Sequence, residues 1–132
     1  LAKILIVEDN ALNVKLFCDL LAAHGHEPRA VTDGRYALEQ AREFAPDLVI
    51  TDIQLPHVTG LEVIQGIRGD GRLKDVPIMA VTAYAAPADE ERIRSAGAQA
   101  YVSKPISVAK FVAQVNELLG IETADARATE TI

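Results

Sequence analysis

Three uninterrupted apolar runs, Ile4-Leu-Ile-Val7, Leu48-Val-Ile-Thr51 and Ile78-Met-Ala-Val-Thr82, stand out along the chain. They are short and lack the period-two alternation of a strand with one wet face, so they read as strands covered on both sides, which implies a parallel sheet. Weaker runs at Glu27 to Val31 and Ala100 to Val102 bring the expected count to five strands. Between them, apolar residues recur at helical spacing: Leu12, Leu16, Leu20 and Leu21 on one face, Ala37, Leu38 and Ala41 on a second, Leu61, Ile64 and Ile67 on a third. Pro87 suits the first turn of a fourth helix that runs through Ile93 to about Ala96 and stops at Gly97. A fifth helix has Ser107 as its N-cap, a stripe of Val108, Phe111, Val112, Val115, Leu118 and Leu119, and Gly120 at its C-terminal stop. Strand and helix alternate five times. Right-handed crossovers then place helices on both faces of an open twisted sheet, a doubly wound α/β fold. Residues 121–132 carry no core-forming stripe and read as a flexible tail or the start of a linker, leaving 1–120 as the folded domain.

Composition narrows the function. At 132 residues, 49% hydrophobic and 24% charged, the chain suits one domain. Thirteen Lys plus Arg against nineteen Asp plus Glu give a formal charge of −6, the wrong sign for direct nucleic-acid binding. One cysteine, Cys18, permits no internal disulfide and points to a reducing compartment. The first apolar run is too short for a signal sequence, and nowhere do about 18 apolar residues follow one another to insert into a membrane. A cytoplasmic location is expected. Leu1 in place of Met suggests a chain cut from a longer polypeptide.

Ligands of open α/β sheets bind beyond the carboxyl ends of the strands. There the first run meets Glu8 and Asp9, the third Asp52, the fourth ends at Thr82, and the fifth is followed by Ser103 and Lys104. Any one charged residue at a strand end is most often merely solvated, but the whole set at four strand ends is hard to reach by chance. Three carboxylates in one basin repel each other unless they share a cation, and hard oxygen ligands with a phosphoryl group nearby suit Mg²⁺. Asp52 could attack phosphorus as a carboxylate nucleophile, with Lys104 and Thr82 holding the transferred oxygens.

The segments Leu5-Ile-Val-Glu-Asp-Asn10, Asp52-Ile-Gln-Leu-Pro-His-Val-Thr-Gly60, Val81-Thr-Ala83 and Ser103-Lys-Pro105 resemble, in order and spacing, the receiver domains of two-component signalling, the CheY-like family. The resemblance covers about Lys3 to Leu119. Through Asp52-Ile-Gln-Leu-Pro, Gly60-Leu-Glu-Val, Glu90-Glu-Arg-Ile-Arg94 and Ala100-Tyr-Val-Ser-Lys-Pro-Ile-Ser107 the chain is most similar to single-domain DivK-type regulators of cell division and polarity. It implies a (βα)5 flavodoxin-like sheet in strand order 2-1-3-4-5. It implies Asp52 as phosphoacceptor from a histidine kinase or histidine phosphotransfer protein. Mg²⁺, with Mn²⁺ as a substitute, would be held by Asp9, Asp52, the backbone carbonyl of Gln54 and, through water, Glu8. Lys104 would pair with the phosphoryl oxygens beside a cis Lys104–Pro105 bond. Thr82 and Tyr101 would form the switch, and an effector would read the face of the fourth helix, fifth strand and fifth helix. Such a protein is a switch that catalyses its own phosphorylation and dephosphorylation, not an enzyme with a separate substrate. Gln54 and Tyr84, two residues beyond Asp52 and Thr82, occupy places that influence attack by hydrolytic water.

Two other functions fit less of the pattern. The chain could be the receiver portion of a hybrid histidine kinase, or of a regulator with its own output domain. It could be an aspartyl-phosphate phosphatase, but those compared carry a second acid where Gln54 stands, and without it a poor leaving group departs slowly. A nucleotide or flavin site is disfavoured because Glu8-Asp9-Asn10, not a glycine-rich loop, follows the first strand. His24, His26 and His57 lack ligand spacing and are expected on the surface. Cys18 is expected to be packed or partly buried, and on physical grounds alone Tyr101 reads equally well as an edge-strand aromatic. Gly60 serves either a turn or close helix–sheet packing.

Overall fold

Every second residue of the apolar runs faces the opposite side of the sheet, and each side has its own helices to cover it. A computed structural model of the protein describes residues 2–83 and 86–121. Strands β1 (Lys3–Val7), β2 (Glu27–Val31), β3 (Leu48–Asp52), β4 (Ile78–Thr82) and β5 (Ala100–Ser103) form one sheet in the order β2-β1-β3-β4-β5. All four neighbouring pairs are parallel. Helices α1 (Ala11–Ala23), α2 (Ala37–Phe44), α3 (Gly60–Arg68), α4 (Pro87–Ala96) and α5 (Val108–Leu119) connect or follow them. The expected doubly wound α/β fold and strand order are what the chain adopts.

Leu5, Val7, Val49, Ile78 and Ala80 pack against Ala37, Ala41, Ile64, Ile67 and Ile93 of α2, α3 and α4. Ile4, Ile6, Leu48, Ile50, Met79 and Val81 face the other way, onto Phe17 and Leu21 of α1 and Phe111 and Val115 of α5. The rings of Phe17 and Phe111 stack with centroids 5.0 Å apart, joining the two helices of that layer. Strands β3 and β4 are buried throughout and β1 from Ile4 on, whereas the edge strands β2 and β5 keep more exposed positions, so their runs are weak in the sequence.

The caps also follow expectation. Ser107 accepts from the Lys110 N–H, Pro87 opens α4, and Gly120 ends α5 with φ of 72°. The buried face of α1 does not. Leu12 is 79% exposed and Leu16 is exposed as well, while Phe17 and Leu21 carry the packing and Leu20 sits at its margin. A four-leucine stripe outweighed a single phenylalanine by count, but the larger ring fills more of the interlayer volume. Cys18 is partly buried, as expected. Ile121 is described as far as its N–H bond to the Asn116 carbonyl; the rest of the expected tail, with Leu1 and Tyr84, lies outside the described residues.

His24 and His57 are exposed, but the surface placement expected of His26 is overturned. It is 8% exposed, and its Nδ1 accepts the Ala2 N–H at 3.3 Å, closing the gap where the chain enters β1. Burial lowers the imidazole pKa from its ordinary 6.5, with nearby positive charge adding to the effect. The unfolded chain therefore takes the proton more readily, so stability is complete above the ordinary value and declines as pH falls through it toward the folded value. Urea midpoints measured across this range should drop on acidification, and His26→Gln should flatten that part of the profile. An NMR titration midpoint for His26 at or above 6.5 would contradict the burial argument.

Candidate active site

The carboxyl ends of β1, β3 and β4 and the loop after β5 meet at one rim of the sheet. Because β1 pairs with β3, with Val7 opposite Thr51, the residues just beyond, Glu8 and Asp52, are brought side by side. Glu8 and Asp52 are both buried and Asp9 is exposed, yet one carboxylate oxygen from each lies within 4.8 Å of the others. Lys104 comes from the opposite edge, past the cis Lys104–Pro105 bond. Its own N–H donates to the Thr82 carbonyl at 2.7 Å, and its Nζ reaches Asp52 Oδ2 at 2.7 Å and Glu8 Oε1 at 3.5 Å.

The two buried carboxylates are held by donors that the chain places nearby. Asp52 Oδ1 accepts the Gln54 N–H at 3.0 Å. Glu8 Oε2 accepts the Asn10 N–H at 3.1 Å and Oε1 accepts Asn13 Nδ2 at 3.3 Å. Asn10 is also the N-cap of α1, its side chain accepting the Asn13 N–H, so the cap that starts the helix also orients Glu8. Burial raises the Glu8 pKa above the ordinary carboxyl value, and the neighbouring Asp52 charge raises it further against the Asn10 N–H. Burial works to lower the Lys104 pKa, but its bonds to Asp52 and Glu8 prevail and hold it above the ordinary value.

Gly60 explains how α3 approaches so closely. A Cβ there would lie 2.1 Å from the Asp52 carbonyl oxygen and 2.6 Å from Ile53 Cα, both backbone atoms that cannot move aside. Of the two structural roles open to this glycine, close helix–sheet packing is the one it fills.

Among the expected site residues, Glu8, Asp9, Asp52 and Lys104 therefore converge. Thr82 is buried at the end of β4 and joins them through Gln54, whose side-chain Nε2 donates to Thr82 Oγ1 at 2.9 Å. Tyr101 stands apart, half-buried on β5, with the Arg94 guanidinium 5.8 Å from its ring. Sequence reasoning missed Asn13, and it singled out Gln54 for its place beside hydrolytic water without its side-chain bond to Thr82. The first has a signal, an asparagine three residues after an N-cap; the bond has none, because its partner comes from another strand.

The donor set fits a hard divalent cation: three carboxylates share one basin with a single lysine ammonium among the described residues. It also fits an incoming phosphoryl group, since Asp52 is an oriented carboxylate with an ammonium at one oxygen.

Residues 4–116 match the family model of the response regulator receiver domain. The polar-differentiation response regulators DivK of Brucella anthropi and Brucella ovis are each 51% identical over 117 residues, covering 89% of this chain and 95% of theirs. Among solved structures, chemotaxis protein CheY4 of Vibrio cholerae superposes with a TM-score of 0.86 at 27% identity, over 90% of this chain and 99% of that one. The receiver domain of a sensor histidine kinase from Pseudomonas aeruginosa, solved with a magnesium ion coordinated in its active site cleft, superposes with a TM-score of 0.83 at 31% identity, over 90% of this chain and 98% of that one.

Two substitutions test this geometry. Gly60→Ala should cost about 1–3 kcal/mol in urea unfolding, the usual range for overpacking, and displace the Asp52 amide resonance; an unchanged midpoint would mean that α3 can retreat freely. Asp9→Asn removes one like charge from the basin and should stabilise the metal-free protein by roughly 0.2–1 kcal/mol, the scale of an exposed charge pair. In excess Mg²⁺ the order should reverse, because the wild type gains binding energy that the variant lacks. The same rank order in EDTA and in Mg²⁺ would argue against a metal at this rim.

Proposed function

The chain belongs to the response regulator receiver domain family, and on that premise we propose that it is a DivK-like phosphorelay switch that accepts a phosphoryl group on Asp52. The observation that carries this reading is the Asp52 carboxylate itself: buried at the end of β3, with Oδ2 on Lys104 and Oδ1 on the Gln54 N–H, beside two more acids. A carboxylate oxygen of Asp52 attacks phosphorus on a phosphohistidine of a kinase or phosphotransfer protein. The new P–O bond forms as the P–N bond breaks, and the departing imidazole takes up a proton. Asp9, Asp52, the Gln54 carbonyl and, through water, Glu8 would hold Mg²⁺ (or Mn²⁺), which would supply the charge neutralisation an anionic phosphoryl group needs in this acidic basin. Lys104 then holds the transferred oxygens, while hydrolysis of the acyl phosphate returns the switch to rest.

Thr82 and Tyr101 transmit the change. Tyr101 lies on β5 in the face of α4, β5 and α5, where it borders, with Arg94, Pro105, Lys110 and Glu117, a groove that an effector protein would occupy. Phosphorylation and effector binding then favour each other, since each biases the same two-state element. Similarity over nearly the whole length of the DivK proteins supports the stand-alone regulator; the likeness to a sensor kinase's receiver makes a portion of a hybrid kinase the second reading. No helix among the described residues is long and apolar enough to cross a membrane.

Intact mass spectrometry after incubation with acetyl phosphate and Mg²⁺ tests the chemistry. The wild type should gain the mass of one phosphoryl group, Asp52→Asn none, and chelation should abolish the gain. Lys104→Met should slow it by about 10²-fold or more, the usual loss when one charge-stabilising donor is removed. Modification of Asp52→Asn to the wild-type extent would place the acceptor elsewhere.

A further inference from the structure

The side chain of Gln54 crosses from the end of β3 to the end of β4 and uses both ends of its carboxamide there. Nε2 donates to Thr82 Oγ1 at 2.9 Å, and Oε1 accepts the Ala83 N–H at 3.1 Å. A main-chain N–H can only donate, so oxygen must face Ala83 and nitrogen must face Thr82. The same residue's N–H holds Asp52 Oδ1. One residue thus ties the acceptor aspartate, through its backbone, to the two polar groups at the tip of the neighbouring strand, through its side chain.

We propose that the Gln54 carboxamide is a resting-state latch: it keeps Thr82 and the Ala83 N–H engaged while Asp52 is unmodified, and a phosphoryl group on Asp52 displaces it. This rests on the reading of Asp52 as phosphoacceptor and adds a positioning residue to that reaction. A phosphoryl group brings three acceptor oxygens to a rim where Lys104 guards one side and the Thr82–Ala83 tip the other. Hydrogen bonds to its charged oxygens are roughly twice as strong as those to a neutral amide, so the exchange runs toward the phosphoryl group once it is present. Before that, the arrangement able to receive it is populated only while the latch is open, which lowers the apparent rate by that fraction.

The latch lies outside the acid cluster and needs no change of protonation. It also gives the side chain at this position a task distinct from guiding water: it restrains the partners of the phosphoryl group before transfer. Gln54 is half-buried, so an unbranched apolar residue of the same length fits without opening a cavity.

Gln54→Met tests it. Losing both carboxamide bonds, the variant should stay folded with a modestly lower urea midpoint, expose the Ala83 amide to faster hydrogen exchange in the unmodified protein and gain phosphate from acetyl phosphate at least about threefold to tenfold faster, the weight of one of the two hydrogen bonds. In the wild type, phosphorylation should shift the Gln54 side-chain amide and Ala83 signals together. Equal rates with equal Ala83 protection, or a slower variant, would overturn the latch. If the wild type gains no phosphoryl group, the reading of Asp52 fails and the latch falls with it. That failure is told apart because Ala83 exchange still registers the bond.

Discussion

Crowding of like charge governs this molecule. Glu8, Asp9 and Asp52 stand where parallel strands end, two of them buried, with one lysine to answer them. Left alone such a group would expand or take up protons, and the Glu8 pKa is raised first by burial and further by the Asp52 charge. What resists it is the sheet: β1 and β3 are hydrogen-bonded neighbours sealed between two helical layers, so their ends cannot separate without opening the core. The stability of the hydrophobic layers is thereby converted into an electrostatic need, one that a divalent cation would meet.

Lys104 is placed with the same economy. It arrives from the far edge of the sheet, and its backbone is fixed to Thr82 before its side chain reaches Asp52. The residue that pairs with the Asp52 carboxylate is therefore mechanically joined to Thr82. Gly60 performs the corresponding service on the other side, letting α3 start against the Asp52 carbonyl itself. Asp52 is gripped from its main chain as well as its carboxylate, which is how a side chain at the rim keeps a fixed direction.

Much of this was legible in the sequence because it depends on local pattern. Continuous apolar runs announce buried parallel strands whether or not their neighbours are known, and polar residues that follow such runs land at one rim by topology alone. Glu8, Asp9, Asp52, Thr82 and Lys104 are all of that kind. What escaped depends on partners distant in sequence. The bond that His26 makes as it is buried is to the Ala2 N–H, just before β1 and 24 residues away in sequence. Arg68, at the last turn of α3, donates to the carbonyls of Gly97, Lys74 and Val76 and to the side chain of Gln99, bracing the approaches to β4 and β5. A surface helix arginine looks the same in sequence whether it does this or points to water. In α1 the leucine stripe misled because spacing alone cannot say which of two overlapping faces turns inward; the stacking of Phe17 on Phe111 decides it.

The difference between these two classes of residue bears on how a switch can be built. The core and the acid basin are over-determined, held by many strands and bonds, and should change little between states. The groups at the Thr82–Ala83 tip are tied to Gln54 by a neutral carboxamide, whose bonds each contribute about 0.5–1.5 kcal/mol net. A hold of that size is strong enough to populate one state and weak enough for a charged ligand on Asp52 to reverse. Had the tip been secured by a buried ion pair like that of Lys104 with Asp52, a phosphoryl group would have had to break a contact about as strong as those it makes. Bistability thus requires the weak bond to lie next to the strong site, and Gln54, whose backbone belongs to one and whose side chain to the other, stands at that boundary.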